Sequence, residues 1–437
     1  MENKINVFLP KSYDLVIGDT FQLFYRGVIE AVNPYNYSIV TTCEKGKHFP
    51  RYFEFTPTEA GKYNLNVSVF DDNHNLLGSA DTILNVVKPS PAKKQLNVLV
   101  LGDSLTGGGQ WVNEVYRRIT SSDGAPQGLG YNNLKFVGKV HKGEVDFQAT
   151  GGWYWKNFSN TVSDSLTMEA FDNKKTIEDQ HSIWRAENGG LWQLESFEKD
   201  YLRFNKYKEH NCPNPEPGYL YHESNAVNTE PIKFTSCWTP AASPFLNKET
   251  GKIDFANYLK ELGLKPSDLD VVYACLGANG TNRQVALNNT SEYYCQNVVV
   301  PEAKEIIDLI LNVCPNAKIK LMSYPIQSLR GGMGSNYGAI SPSNDSLKKT
   351  HFNMVLAKTY KDLAEEEKYK NNLEYINISG QFDTEYGYPH TFKPVNVRSE
   401  ETEWFDINGV HPANCGYMQI ADAVYRNLIK ECFSEKE

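Results

Sequence analysis

Leu96-Asn-Val-Leu-Val-Leu101-Gly-Asp-Ser-Leu-Thr106-Gly-Gly-Gly109 decides how the rest of the chain is read. Five of its first six residues are apolar, and the run is bounded by Lys93-Lys94 and by glycines. Such a run suits a strand buried on both faces. Beyond Gly102-Asp103-Ser104, apolar residues recur three and four apart (Trp111, Val112, Val115, Tyr116, Ile119), the spacing of one helix face. Strand, tight turn and helix put Ser104 at the carboxyl end of a strand and the amino end of a helix. Open α/β sheets hold their chemistry there. Two roles are open to Ser104 at this point: a nucleophile, or the helix N-cap that serine often fills.

The same alternation continues downstream. Strands are expected at Leu134–Val140, Leu269–Leu276, Ala317–Ser323 and Leu373–Ile378. Helices are expected at 301–313, with Pro301 in the first turn, at about 344–367 and at about 416–431. Five strands with crossing helices predict one α/β domain over residues 96–437 with a parallel sheet. Its rhythm breaks between about residues 154 and 245, a stretch rich in aromatics (Trp184, Trp192, Tyr219, Tyr221, Trp238) that reads as an ordered insertion. Those rings serve either sugar stacking or a core of their own.

Upstream, residues 1–88 carry short alternating runs (Ile5–Leu9, Phe21–Tyr25, Tyr63–Val69, Thr82–Val87) separated by turn signals, which predicts a small all-β sandwich. The Gly61-Lys-Tyr63 turn entering an alternating strand resembles the last hairpin of bacterial immunoglobulin-like sandwiches. A binding or spacer role and passive packing both fit such a module. Residues 89–95, rich in Pro and Lys, read as the linker.

At 437 residues, with 40% hydrophobic and 22% charged residues, the chain has enough apolar mass for a sizeable core. Its net charge of −9 argues against a nucleic-acid partner, which would demand clustered Lys and Arg. No apolar run is long enough to span a bilayer. The opening residues Met1-Glu-Asn-Lys-Ile-Asn6 lack the apolar core of a secretory leader. Localisation stays open between retention, release by lysis and removal of a leader. The eight cysteines show no C-x-x-C and no zinc spacing, so no metal is expected. Cys275 and Cys314 read as small hydrophobes, and a Cys212–Cys237 pair is left open.

Four stretches fall at strand ends: Gly102–Leu105, Ala149–Trp153, Leu276–Gly280 and Asp406–Pro412. In a parallel sheet such loops converge on one edge. Ester cleavage needs a nucleophile, a base for its proton and donors for the oxyanion. Ser104, His411 and a donor set of the Ser104 N–H, the Gly152 N–H and the Asn279 amide would supply them. The bland roles are a tight turn for Gly152, a loop cap for Asn279 and a surface histidine for His411. The blocks Gly102-Asp-Ser-Leu105, Gly151-Gly-Trp153, Gly277-Ala-Asn279 and Val410-His-Pro412 resemble those of the SGNH (GDSL-type) hydrolases, over roughly residues 96–432 apart from the insertion. The resemblance implies a flavodoxin-like three-layer domain and an acyl-serine mechanism without cofactor, with Ser104, Gly152, Asn279 and His411 in those roles.

One position departs from the family pattern. Asn408 stands three residues before His411 where the family has Asp, and the nearest carboxylate is Asp406. Three outcomes are open: Asp406 orients the imidazole through a longer loop, Asn408 or a backbone carbonyl does so in a dyad, or the site is slow. Asp406 is slightly preferred because a charge stabilises imidazolium. The expected function is removal of small acyl groups, acetyl above all, from a carbohydrate, with Trp153 as a candidate substrate contact. The rival readings are a carbohydrate-binding protein with a lost active site, and a component of a larger particle such as a phage tail.

Overall fold

A computed structural model describes residues 4–31, 33–160, 243–247, 249–280, 290–322, 325, 328 and 342–435. It also describes the strands at 165–166, 183–186, 191–198, 201–206 and 234–236. Two compact units result, residues 1–150 with 264–437, and residues 151–263. Among the described residues no helix is long and apolar enough to cross a membrane.

The first unit begins with two β-sheets. One has strands β1 (Ser12–Val16), β3 (Ser38–Cys43), β6 (Gly61–Phe70) and β7 (Leu76–Val87) in the order β1-β7-β6-β3. The other holds β2 (Phe21–Phe24), β4 (Lys47–His48) and β5 (Tyr52–Phe55) in the order β2-β5-β4. Alternation puts every second residue of β6 (Tyr63, Leu65, Val67, Val69) into a shared core with Leu15, Phe21, Leu23 and Phe53. Ile5–Leu9, expected as a strand, contributes only an isolated bridge between Val7 and Ile29.

The α/β part is built on β8 (Leu96–Gly102), every residue of which is buried. The sheet has seven strands rather than the expected five, and it is mixed. Strands β9 (Leu134–Val137), β12 (Leu269–Cys275), β13 (Lys318–Met322) and β14 (Leu373–Ile376) join β8 through parallel pairs. The extra strands are β10 (Val140–Lys142) and β11 (Val145–Ala149), an antiparallel hairpin. β9 pairs with residues 96–99 of β8 and β11 with residues 101–102, on the edge away from β12. The hairpin therefore carries the chain to the carboxyl end of β8, where the Ala149–Trp153 stretch begins.

The helical pattern after Ser104 is split. A turn of helix α1 (Ser104–Gly107) precedes α2 (Gln110–Thr120), and Gly109 at φ +75° makes the break. Helix α3 (Val300–Val313) also departs from expectation, because it continues back without interruption through a π turn at Cys295–Val299 to Ser291. The Val300 N–H bonds the Cys295 carbonyl five residues back. Pro301 has no N–H to donate, and the wider turn accommodates it. Helices α4 (Pro342–Glu365) and α5 (Asn414–Cys432) complete the unit.

The β region and the α/β region share a seam of buried ion pairs. Arg118 of α2, 2% exposed, bonds Asp19 and Asp422 at 2.6 Å each and lies 3.6 Å over the Tyr425 ring. Arg426 of α5 reaches the same Asp19 at 2.5 Å and the Thr20 carbonyl at 2.7 Å. Removing one partner from a buried pair typically costs on the order of 3–5 kcal/mol. The 89–95 linker is held too, since the Ser90 N–H bonds the Phe433 carbonyl at 2.6 Å.

The second unit contains a five-stranded antiparallel sheet within the expected insertion, in the order 165–166, 234–236, 183–186, 191–198, 201–206. Its described core is aromatic: Phe245 meets Phe158, Phe255 and Tyr258 at ring distances of 5.5, 5.0 and 4.9 Å. The side chains of Trp184, Trp192, Tyr219, Tyr221 and Trp238, and the Cys212–Cys237 pair, lie outside the described residues.

Candidate active site

Ser104 opens α1 directly after β8, and His411 sits in the loop between β16 (Thr402–Asp406) and α5. They are 307 positions apart in sequence, yet His411 Nε2 lies 2.9 Å from Ser104 Oγ. Both side chains are half-buried. Burial pushes the imidazole below its usual pKa, so the ring is neutral at neutral pH. A neutral Nε2 within hydrogen-bond reach of a hydroxyl is the arrangement a base needs to take that proton.

The N-cap role falls to Asp103, not to Ser104. Its buried carboxylate accepts from the Leu105 N–H at 3.0 Å through Oδ1. The other oxygen, Oδ2, accepts from Asn279 Nδ2 at 2.9 Å. One aspartate thus caps the helix beneath the serine and fixes the amide beside it. The sequence reading passed over Asp103, although it stands next to the serine in the Gly-Asp-Ser block.

Asn279 follows β12 in a turn closed by a bond from the Gly280 N–H to the Gly277 carbonyl at 2.9 Å. Gly277 takes φ +110°, and a Cβ there would lie 2.6 Å from the Tyr360 hydroxyl. That hydroxyl donates to the Leu276 carbonyl at 2.8 Å, so backbone and packing together demand glycine before the asparagine.

Asp406 and Asn408 have different surroundings. Asp406 is 0% exposed. Its Oδ1 accepts from Trp404 Nε1 at 2.8 Å and its Oδ2 from the Ser328 hydroxyl. Asn408 Oδ1 accepts from the backbone N–H groups of Val410 and His411, both at 2.9 Å. Its amide oxygen therefore shapes the loop that presents His411. Gly152 falls in the second unit, where it takes φ +79°. Trp153, expected as a substrate contact, is 7% exposed and lies edge-on to Phe158 at 5.1 Å. Its ring is engaged in core packing.

No protein-family model matches the chain, and no curated protein matches it. Among solved structures it is similar to a family 3 carbohydrate esterase of Clostridium thermocellum, at 14% identity and a TM-score of 0.35, covering 77% of this chain and 98% of that one. An extracellular lipase of Streptomyces rimosus matches at 9% identity and a TM-score of 0.33, covering 75% and 99%. A carbohydrate acetylesterase of Sinorhizobium meliloti matches at 12% identity and a TM-score of 0.32, covering 77% and 99%.

Proposed function

We propose that this protein is a serine esterase of the SGNH type that removes small acyl groups, acetyl foremost, from a carbohydrate. The observation that carries the reading is the 2.9 Å contact between Ser104 Oγ and His411 Nε2 at the carboxyl end of β8. The same reading takes residues 1–88 as an immunoglobulin-like module and residues 96–437 as a flavodoxin-like hydrolase domain with an insertion at about 154–245.

As Oγ attacks the ester carbonyl carbon, its proton passes to Nε2, and the carbonyl π electrons move onto oxygen. The Ser104 N–H, one of the unshared donors at a helix start, and Asn279 Nδ2 stabilise that oxyanion. Collapse re-forms the carbonyl and breaks the bond to the sugar oxygen, which leaves with the proton from His411. Water then attacks the acyl-serine by the same proton route, releasing the carboxylic acid and restoring Ser104. Asp406 orients the imidazole and stabilises its charged form. Support comes from its buried carboxylate, the nearest acid to His411 in the sequence.

A serine-directed organophosphonate ester should modify Ser104 and no other serine, read by peptide mass spectrometry. Labelling elsewhere, or none, overturns the assignment. The base must be deprotonated to act, so kcat/KM should stay high as pH falls below about 6.5, the ordinary imidazole value, and be lost only through the depressed pKa of His411. An acid limb centred at or above about 6.5 would contradict a desolvated histidine in this role.

A further inference from the structure

The two strands ahead of the His411 loop, β15 (His390–Pro394) and β16, form an antiparallel hairpin with an unusual outer surface. Its register pairs His390 with Asp406, Phe392 with Trp404 and Pro394 with Thr402, so these side chains share one face. Phe392 is 60% exposed, and Tyr386, just before the hairpin, is 40% exposed. Both rings meet Trp404 edge-on, at 5.9 and 5.0 Å, while His390 stacks flat on the indole at 3.2 Å. Exposed hairpins ordinarily carry polar side chains outward, and a clustered aromatic surface marks a contact site.

The platform is rigid and tied to the chemistry. Trp404 Nε1 is bonded to Asp406, the residue that ends β16 and begins the catalytic loop. Five residues on comes His411, a reach of at most about 18 Å even if the chain were fully extended. From the other side Arg51, in the β region, holds the base of the platform. Its guanidinium lies 4.6 Å over the Tyr386 ring and bonds Asp383 at 2.5 Å. A surface one short loop away from His411 and braced on both sides is placed to hold the non-reacting part of the substrate.

We infer that the Tyr386–Phe392–Trp404 platform is a glycan subsite, on which a sugar ring of the acylated polymer stacks while its neighbour presents the ester to Ser104. This rests on the serine-esterase reading above. The chemistry fits a sugar better than a fatty chain. The rings stand open to solvent, whereas an acyl chain is bound by an enclosed apolar tunnel. Exposed His390 and Thr402 lie on the same face as the rings and can accept or donate hydrogen bonds to hydroxyl groups. Binding energy from such a remote ring can be used at the reacting centre only by a polymeric substrate.

The test compares wild type with Phe392→Ala and Tyr386→Ala on 4-nitrophenyl acetate, 4-nitrophenyl decanoate, acetylated xylan and acetylated mannan. Both variants should keep wild-type rates on 4-nitrophenyl acetate and lose at least about 10-fold in kcat/KM on an acetylated glycan, mostly through KM. Affinity electrophoresis in the same two glycans, run in a Ser104→Ala background, reads the platform without catalysis, and each change should abolish retardation. Inertness of the wild type towards 4-nitrophenyl acetate overturns the esterase reading, while electrophoresis still decides the platform. Equal retardation with and without Phe392, or no retardation of any form, overturns the platform alone. So does a loss confined to the decanoate, which would mark a surface for acyl chains.

Discussion

Ser104→Ala and His411→Ala are each expected to lower kcat for 4-nitrophenyl acetate by about 10⁴–10⁶-fold, with the double variant no slower than the worse single change. In the proposed mechanism the two groups act as one device. The hydroxyl is a poor nucleophile until the imidazole takes its proton, and the imidazole has no other bond-making role in the first step. Once either is gone, the oxyanion donors alone remain, and removing the second group takes nothing further. Steady-state rates of the three variants, with far-ultraviolet circular dichroism to verify folding, decide it. Multiplicative losses would mean that Ser104 and His411 act independently, and their 2.9 Å contact would then be no proton path.

The second large effect separates two neighbours. Asp406→Asn keeps the shape and the acceptor oxygen that meets Trp404 but removes the charge, and it should cost about 10³–10⁴-fold in kcat. Asn408→Ala should cost about 10-fold or less, because it loosens two backbone bonds without removing the charge proposed to stabilise imidazolium. The reverse ranking would transfer the orienting role to Asn408. A buried carboxylate at 0% exposure is costly to maintain unless it is hydrogen-bonded, and here indole and serine hydroxyl donors meet it from two sides.

What the sequence disclosed about this site, and what it hid, follows from the range of the interactions involved. Ser104 was legible because an unbroken apolar run ending in glycine is a local signal, and His411 because of its block before the closing helix. Asp103 was not. A cap that also grips Asn279, 176 positions away, shows only when two strand ends are side by side. β10 and β11 escaped because strands of three and five residues around a tight turn carry too little alternation to stand out. The π turn ahead of Pro301 was hidden because proline at a helix start and proline behind a widened turn look alike in one dimension. The aromatic hairpin was overlooked for a different reason. The richest aromatic stretch drew attention to residues 154–245, whereas three rings spread over residues 386–404 become one surface only through cross-strand register.

The ion pairs around Asp19 bear on how far the two parts can be separated. Arg118 and Arg426 lie in helices of the α/β part, and their shared acid lies in the turn between β1 and β2. In a related chain without the front β region Arg426 would have no carboxylate partner, while Arg118 would keep Asp422 and Tyr425. A graft of this α/β portion onto another β module would leave Arg426 without its carboxylate and Arg118 with Asp422 alone.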